Sequence, residues 1–344
     1  MKYNFCTLFD SYYLTRGIAL HNSLKACYDD FHLYIFAFDE ACYNFLKKIN
    51  LDNATIISSL DFEDADLLRV KPTRTIAEYC WTCTASTIWY SINKFNLDHC
   101  TYLDADMLFF SSPKPIFEEI GSKSVGLSLH NFASNLKYTE VYGKYCVQFV
   151  FFRNDKDGLG ALNWWREKCI EWCYAKMEDG KLGDQKYLDY FQEKFNNVCE
   201  IRHPGAGVAP WNISKFSLNS VNGQLLIALK EKTSKNHPLI FYHFQGLKFR
   251  DLDTKIIAEA SCLKISEKGL KLIYEPYISQ LIAIRNQIKE IPNPTRPVIF
   301  RRKLNTCINT FFRIHLKRFI FVRKLYYLFQ KERQNRPKKM GGTL

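Results

Sequence analysis

The apolar positions of this chain fall into short blocks whose period changes along the sequence, and acids recur where strand-like blocks end. Phe5–Phe9 is a compact apolar run closed by Asp10, and His32–Phe38 (HLYIFAF) is a second, followed by Asp39. Between them, Arg16–Ala26 spaces Ile18, Leu20 and Leu24 for a helix. Ala41–Ile49 then predicts a helix, Ala54–Ser58 a strand, Ile76–Phe95 a long aromatic-rich helix, and Cys100–Leu103 a strand ending on Asp104. Ser124–Leu129 and Cys146–Phe152 predict further strands, and Leu159–Met177 a helix. After a turn at Gly180–Gly183, Gly183-Asp184-Gln185 opens a helix over Lys186–Phe195. His203–Asn212 is a Gly/Pro loop, Pro238–Phe244 a last strand, and Leu272–Lys289 a helix. Ile291–Pro297 is a breaker cluster and the clearest linker. No period of 20–50 residues is visible, so a solenoid is not indicated.

Strand and helix alternating in this way predict an α/β fold, a parallel sheet with helices on both faces. Ligands of such sheets bind beyond the carboxyl ends of the strands. Asp10, Asp39, Asp104 and Asp106 all fall at predicted strand ends, so the chemistry is sought there.

Length and composition refine this picture. A chain of 344 residues with 47% hydrophobic and 24% charged residues can bury a full core and is not intrinsically disordered. The formal charge of +13 belongs to the end of the chain. Residues 295–344 hold fourteen Lys/Arg and one acid, Glu332, so residues 1–294 hold 34 bases and 34 acids. Met1-Lys2-Tyr3-Asn4 runs into an apolar stretch broken at Asp10, which is not the pattern of a cleavable secretory signal. The twelve cysteines are therefore expected as reduced thiols of a cytoplasmic chain. A zinc site from Cys80/Cys83 and Cys169/Cys173 is the sharper alternative, but Cys80 and Cys83 fall on a predicted helix where such spacing serves the core.

Two features carry chemistry. Asp104-Ala105-Asp106 sets two carboxylates in an apolar context, between Cys-Thr-Tyr-Leu and Met-Leu-Phe-Phe. Desolvation without a positive partner would raise their pKa values, and a divalent cation resolves the repulsion with hard oxygen ligands. Solvated acids at a strand exit are the alternative. Far downstream, His243-Phe-Gln-Gly246-Leu-Lys248 offers a nitrogen ligand, a close backbone approach and a point charge suited to phosphate.

Taken together, the pieces resemble a glycosyltransferase of the GT-A fold, closest to the family-8-like retaining galactosyl- and glucosyltransferases that use UDP-sugars. The resemblance rests on Thr7-Leu-Phe-Asp10-Ser-Tyr-Tyr13, Tyr102-Leu-Asp104-Ala-Asp106-Met-Leu108, Gly183-Asp184-Gln185-Lys-Tyr-Leu188, Pro210-Trp-Asn212 and His243-Phe-Gln-Gly246-Leu-Lys248. It covers roughly residues 3–250 and implies a Rossmann-like mixed sheet. It implies Mn²⁺ or Mg²⁺ held by Asp104, Asp106 and His243, and donor contacts from Thr7, Asp10, Tyr12, Gly246 and Lys248. Asp184 and Gln185 would line the sugar pocket as catalytic residues. For Asp184 a helix N-cap is the bland alternative. Three departures stand out. Trp81 occupies the place of a family arginine, with Arg69, Lys71 or Arg74 as conceivable substitutes. Tyr145-Cys-Val-Gln148-Phe lacks the usual Asn–small–Gly pattern, and Phe249-Arg250 follows the last motif in place of proline-tryptophan.

The resemblance divides the chain into a catalytic domain (1–250), a packed helical extension (251–294) and a basic tail (295–344). Within residues 303–333, Leu304, Ile308, Phe311, Phe319, Val322, Tyr326 and Phe329 recur at helical spacing, with bases interrupting every apolar run. No run reaches the ~18 residues of a bilayer span. The pattern fits a helix lying on an anionic membrane surface; a self-packing helix is the alternative, and nucleic acid is not expected. The expected protein is a peripheral enzyme at the inner face of the cytoplasmic membrane. It would move a hexose from a nucleotide-sugar to a lipid-linked or surface glycan, as in lipopolysaccharide biosynthesis. The rival readings are a sugar-nucleotide-forming nucleotidyltransferase and a non-catalytic sugar-nucleotide-binding protein. The first βα loop, Asp10–Arg16, lacks the Gly-rich basic phosphate loop the former would want.

Overall fold

The computed structural model describes residues 2–134, 136, 139–230, 235–252, 255–259 and 265–288. The tail read as membrane-associating, residues 303–333, lies outside the described residues. Among the described residues, no helix is long and apolar enough to cross a membrane.

A seven-stranded sheet organises the chain. Its strands are β1 (Tyr3–Phe9), β2 (Phe31–Ala37), β3 (Ala54–Ser58), β4 (His99–Leu103), β6 (Val125–Leu129), β7 (Tyr145–Arg153) and β8 (Val198–Ile201), in the order β3-β2-β1-β4-β7-β6-β8. β1 pairs in parallel with β2 and β4, and β2 with β3. β7 runs antiparallel to both β4 and β6. The sheet is thus mixed, as the resemblance implies, while the parallel arrangement expected from alternation alone holds for β3-β2-β1-β4. β7 reverses direction where the β6–β7 connection, among the described residues, has no crossover helix longer than Thr139–Tyr142.

Both faces of the sheet are covered, which accounts for the unbroken apolar runs. Along β1, Phe5 and Phe9 enter one core while Cys6 and Leu8 enter the other. The first core is shared with α1 (Leu14–Cys27). The second is shared with α3 (Ile76–Phe95) and α4 (Lys156–Glu171). Asp39 caps α2 (Glu40–Ile49) through Cys42 N at 2.7 Å, and Thr75 with Glu78 forms a reciprocal capping box on α3.

Two helix expectations shift. α4 ends at Glu171, not Met177, because Trp172 turns extended while remaining buried, so its apolar character imitates a further helical turn. The segment Lys186–Phe195 is a 3₁₀ turn, Gln185–Tyr190, running into a short helix, Phe191–Lys194.

The strand expected over Pro238–Phe244 is shorter and lies outside the main sheet. β9 (Phe216–Val221) and β10 (Gln224–Leu229) form a hairpin edged by β11 (His237–Pro238). β12 (Phe241–His243) pairs antiparallel with β5 (Met107–Phe109), setting His243 opposite Met107. It is not the last strand, since β13 (Lys248–Leu252) and β14 (Lys255–Glu259) follow as a hairpin. Beyond them α5 (Glu275–Gln287) buries Tyr277, Ile278, Leu281 and Ile284 in the core shared with α1. Phe244 stacks on Tyr277 at 3.8 Å, anchoring the segment after β12.

Gly205 fixes where β12 lies. Its carbonyl accepts from Ile240 N at 2.9 Å, and a Cβ there would sit 2.0 Å from the Pro238 carbonyl. Gly205→Ala is expected to cost about 1–3 kcal/mol through overpacking, read from the urea midpoint of unfolding.

Candidate active site

The site grows out of two chain segments meeting beyond β4. β4 delivers Asp104, whose N–H donates to the Gln148 carbonyl of β7 at 3.2 Å. Asp106 follows immediately before β5, and its carbonyl accepts from Phe244 N at 2.9 Å. The β5–β12 pairing therefore brings His243 beside the two acids across 137 residues of sequence. Nε2 of His243 lies 3.0 Å from Asp106 Oδ1 and 3.6 Å from Asp104 Oδ2. One ligand atom from each of the three lies within 4.8 Å of the others, and this is the one such cluster among the described residues. The zinc alternative fails here: Cys83, Cys169 and Cys173 are buried and Cys80 half-buried, and among the described residues these cysteines form no cluster of three or more metal ligands.

Burial sets the electrostatics. It pushes the Asp104 carboxyl up to about 6, with the neighbouring Asp106 charge adding and the imidazole opposing. Burial works against the charge of Asp106 too, but the His243 imidazole outweighs it and holds that carboxyl low. His243 loses solvation as well, yet Asp106 and then Asp104 raise it well above its ordinary value. The donor set of two carboxylate oxygens and one imidazole nitrogen fits a divalent ion such as Mn²⁺ or Mg²⁺.

Among the remaining expected residues, Asp184 lies close enough to this cluster to feel the charge of Asp104. Asp184 is 6% exposed and is pushed up to about 7 by burial, with Asp104's charge contributing. It stands at the N-cap position of the Gln185–Tyr190 turn, though its side chain makes no capping hydrogen bond. Its carbonyl accepts from the buried Trp165 indole N–H at 2.9 Å. Gln185 is held by main chain, Oε1 accepting from Val147 N at 3.4 Å and Nε2 donating to the Tyr142 carbonyl at 2.8 Å. Asp10 caps the Ser11–Tyr13 turn, accepting from Tyr12 N at 3.1 Å and Tyr13 N at 3.2 Å. Thr7 is fully enclosed in β1, and its hydroxyl has no hydrogen-bond partner among the described residues. Gly246 has φ +78°, a left-handed turn before the exposed Lys248.

The arginine departure resolves into packing. Trp81 lies against Gly183, where a Cβ would sit 3.5 Å from the indole. The conceivable substitutes are engaged elsewhere: Arg69 with Asp66, Lys71 with Glu63, and Arg74 over the Tyr174 ring at 3.9 Å.

Sequence reasoning missed Arg16. It is 2% exposed on α1, donating to the Leu247 carbonyl at 3.2 Å and the Tyr12 carbonyl at 3.4 Å, with its guanidinium 4.4 Å from the Tyr13 ring centroid. It ties the first βα loop to the His243–Lys248 loop. A base among Leu14, Ile18 and Leu20 was the available signal, since a buried arginine requires acceptors. Trp211 was quoted but its role was not foreseen: its ring stands edge-on to His243 at 5.5 Å, and its indole N–H donates to the His130 carbonyl at 2.8 Å.

No protein-family model matches the chain. YfnF of Bacillus subtilis (strain 168) is 33% identical over 250 residues, covering 70% of this chain and 80% of that protein. YfnD of the same strain is 31% identical over 284 residues, covering 81% of this chain and 88% of that protein. Among solved structures, the galactosyltransferase LgtC in complex with donor and acceptor sugar analogs matches with a TM-score of 0.52 at 14% identity, over 86% of this chain and 99% of that one.

Two predictions follow from this geometry. Asp104 near 6 and Asp184 near 7 stand above the ~3.9 of an unfolded aspartate, so folded protein retains protons the unfolded chain has lost. Through these groups metal-free stability falls as pH rises from about 4 to 7. A divalent ion would require the ionised acid and the neutral imidazole, so affinity for added Mn²⁺ is expected to rise with pH from about 5 and to go on rising beyond neutrality, with protons released on binding. Calorimetry in buffers of different ionisation enthalpy reads that release. Separately, Arg16→Met strands two carbonyls and is expected to destabilise by about 2–4 kcal/mol, measured by chemical denaturation.

Proposed function

The chain belongs to the family of the Bacillus subtilis proteins YfnF and YfnD and has the GT-A glycosyltransferase fold, and we propose that it is a metal-dependent glycosyltransferase. It moves a hexose from a nucleotide-sugar, UDP-linked, to a glycan or glycolipid acceptor with retention of configuration. The observation that carries this reading is the convergence of Asp104, Asp106 and His243 beyond the carboxyl end of β4. The galactosyltransferase LgtC was solved in complex with donor and acceptor sugar analogs, which is in keeping with transfer of a hexose here.

In this reading Asp104, Asp106 and His243 hold Mn²⁺ or Mg²⁺, which when bound neutralises the charge growing on the departing diphosphate. Lys248 adds a point charge toward a phosphate oxygen, and the turn at Gly246 lets backbone approach it. No side chain then has to protonate the leaving group. Asp10 and Tyr12, in the loop that Arg16 pins, border the nucleoside, with Thr7 behind them. Asp184, when ionised, accepts hydrogen bonds from sugar hydroxyls and orients the ring. Gln185, fixed by two main-chain groups, lies at the sugar face opposite the leaving diphosphate. Trp81 packing on Gly183 gives that pocket an apolar wall.

The acceptor and location belong to the same proposal. The basic segment 295–344 would hold the enzyme to an anionic membrane surface, where a lipid-linked acceptor is assembled. With the catalytic body at 1–250 followed by a segment, 251–294, that carries β14 and α5, the tail would supply the attachment.

A donor screen tests the reading: UDP-Gal, UDP-Glc, UDP-GlcNAc and GDP-sugars are incubated with Mn²⁺ and nucleotide release is measured. Release from a UDP-hexose, lost on chelation and on Asp106→Asn, is expected. Asp106→Asn and His243→Ala should each weaken metal-dependent UDP binding on the order of 100-fold or more. Undiminished turnover in both variants, or no metal-dependent affinity for any nucleotide-sugar, overturns the proposal.

A further inference from the structure

β7 carries an irregularity at the site. Against β6, Cys146 pairs with Ser128 and Val150 with Leu127, so residues 147–149 bulge out of register. The same three residues reverse the alternation along the strand: Tyr145 and Val147 enter one core, Phe149 the other, and Val150 and Phe152 the first again. Bulges of this kind re-aim side chains beside active sites. Here the bulge carries Gln148, fully buried, whose Oε1 lies 3.0 Å from His243 Nδ1 and whose Nε2 donates to Ser128 Oγ at 3.2 Å. Ser128 is 1% exposed.

The amide is also walled in. Gly207, at φ +77°, lies so close that a Cβ there would sit 3.0 Å from Gln148 Nε2 and 3.1 Å from Ser128 Oγ. Asn212 holds that loop by donating to the Gly207 carbonyl at 2.8 Å and the His130 carbonyl at 2.9 Å. With Nε2 committed to Ser128, the carbonyl end of the amide must face the imidazole. An acceptor at Nδ1 requires Nδ1–H, and the neutral ring then keeps its lone pair at Nε2, the atom facing Asp104 and Asp106.

We infer that Gln148 is a positioning residue: the bulge, Ser128 and Gly207 lock its amide so that His243 presents Nε2, in the correct tautomer, to a divalent cation. This position is where the chain departs from the Asn–small–Gly pattern of the glycosyltransferases it resembles, so the device is a feature of this chain. The inference rests on the metal-site reading above and deepens it. Gln148 acts only through His243.

The test titrates Mn²⁺ into the full chain, counting free ion by electron paramagnetic resonance, for the wild type, Gln148→Leu and Gln148→Glu. A long-range ¹H–¹⁵N spectrum of the metal-free imidazoles is recorded on each, at a pH high enough for His243 to be neutral. Gln148→Leu is expected to lower Mn²⁺ affinity about 10–100-fold and to lose the protected His243 Nδ1–H signal. Gln148→Glu, which keeps an acceptor, should retain both within a few-fold. If Gln148→Leu does not fold, Ser128→Ala takes its place with a smaller loss in the same direction, because the amide is then released. Unchanged affinity and an unchanged Nδ1–H signal in the leucine variant overturn the inference. A wild type that takes up Mn²⁺ but turns over no nucleotide-sugar sinks the transferase reading and leaves this inference standing, whereas a wild type that takes up none overturns it.

Discussion

The structure depends on one constraint, which is that two carboxylates and an imidazole are held together where little water reaches them. The side chains of Asp106 and His243 are 14% and 6% exposed. An ion pair so enclosed gains little over an apolar substitute, and removing one partner leaves a buried charge. What keeps the arrangement in place is covalently remote: three residues of β5 paired with three of β12, braced by Gly205 behind and by Phe244 on Tyr277 beyond. The fold expends main-chain hydrogen bonds and aromatic packing to assemble a cluster in which Asp106 and His243 stabilise one another while burial holds Asp104 above its ordinary range.

Around the cluster, polar groups point inward and are satisfied by backbone more than by one another. Arg16 meets two carbonyls, Gln185 a carbonyl and an amide N–H, and Asn212 two carbonyls. Side chains held in this way lose little further freedom when a ligand arrives, which is the condition for a preorganised site. The sequence departures have a common consequence in this light. Trp81 becomes packing against Gly183, and Gln148 becomes a hydrogen-bond partner of His243.

Much of this was legible in the residues. β3 and α3 run over the spans their patterns predict, because β-branched residues and a Thr/Glu capping box are local signals. Asp104 and Asp106 were visible as acids embedded in apolar sequence, and His243 as a polar residue at the end of an apolar strand. Strand direction was not legible, since a strand buried on both faces reads the same in either sense, and β7 runs against its neighbours. The end of α4 was misread because Trp172 is core without being helix. Gln148 was noticed only as a missing pattern. Its role depends on a bulge that displaces the alternation of β7 and on a partner 95 residues away, neither of which is encoded in local spacing.

The central claim is that the His243 imidazole and the two aspartates share one ion. Its most direct measurement is pulsed electron–nuclear double resonance of protein-bound Mn²⁺ with ¹⁵N-histidine labelling. The account predicts a single directly coordinated nitrogen whose coupling changes on labelling and vanishes in His243→Ala. A bound Mn²⁺ with oxygen couplings alone, identical in wild type and variant, would contradict it.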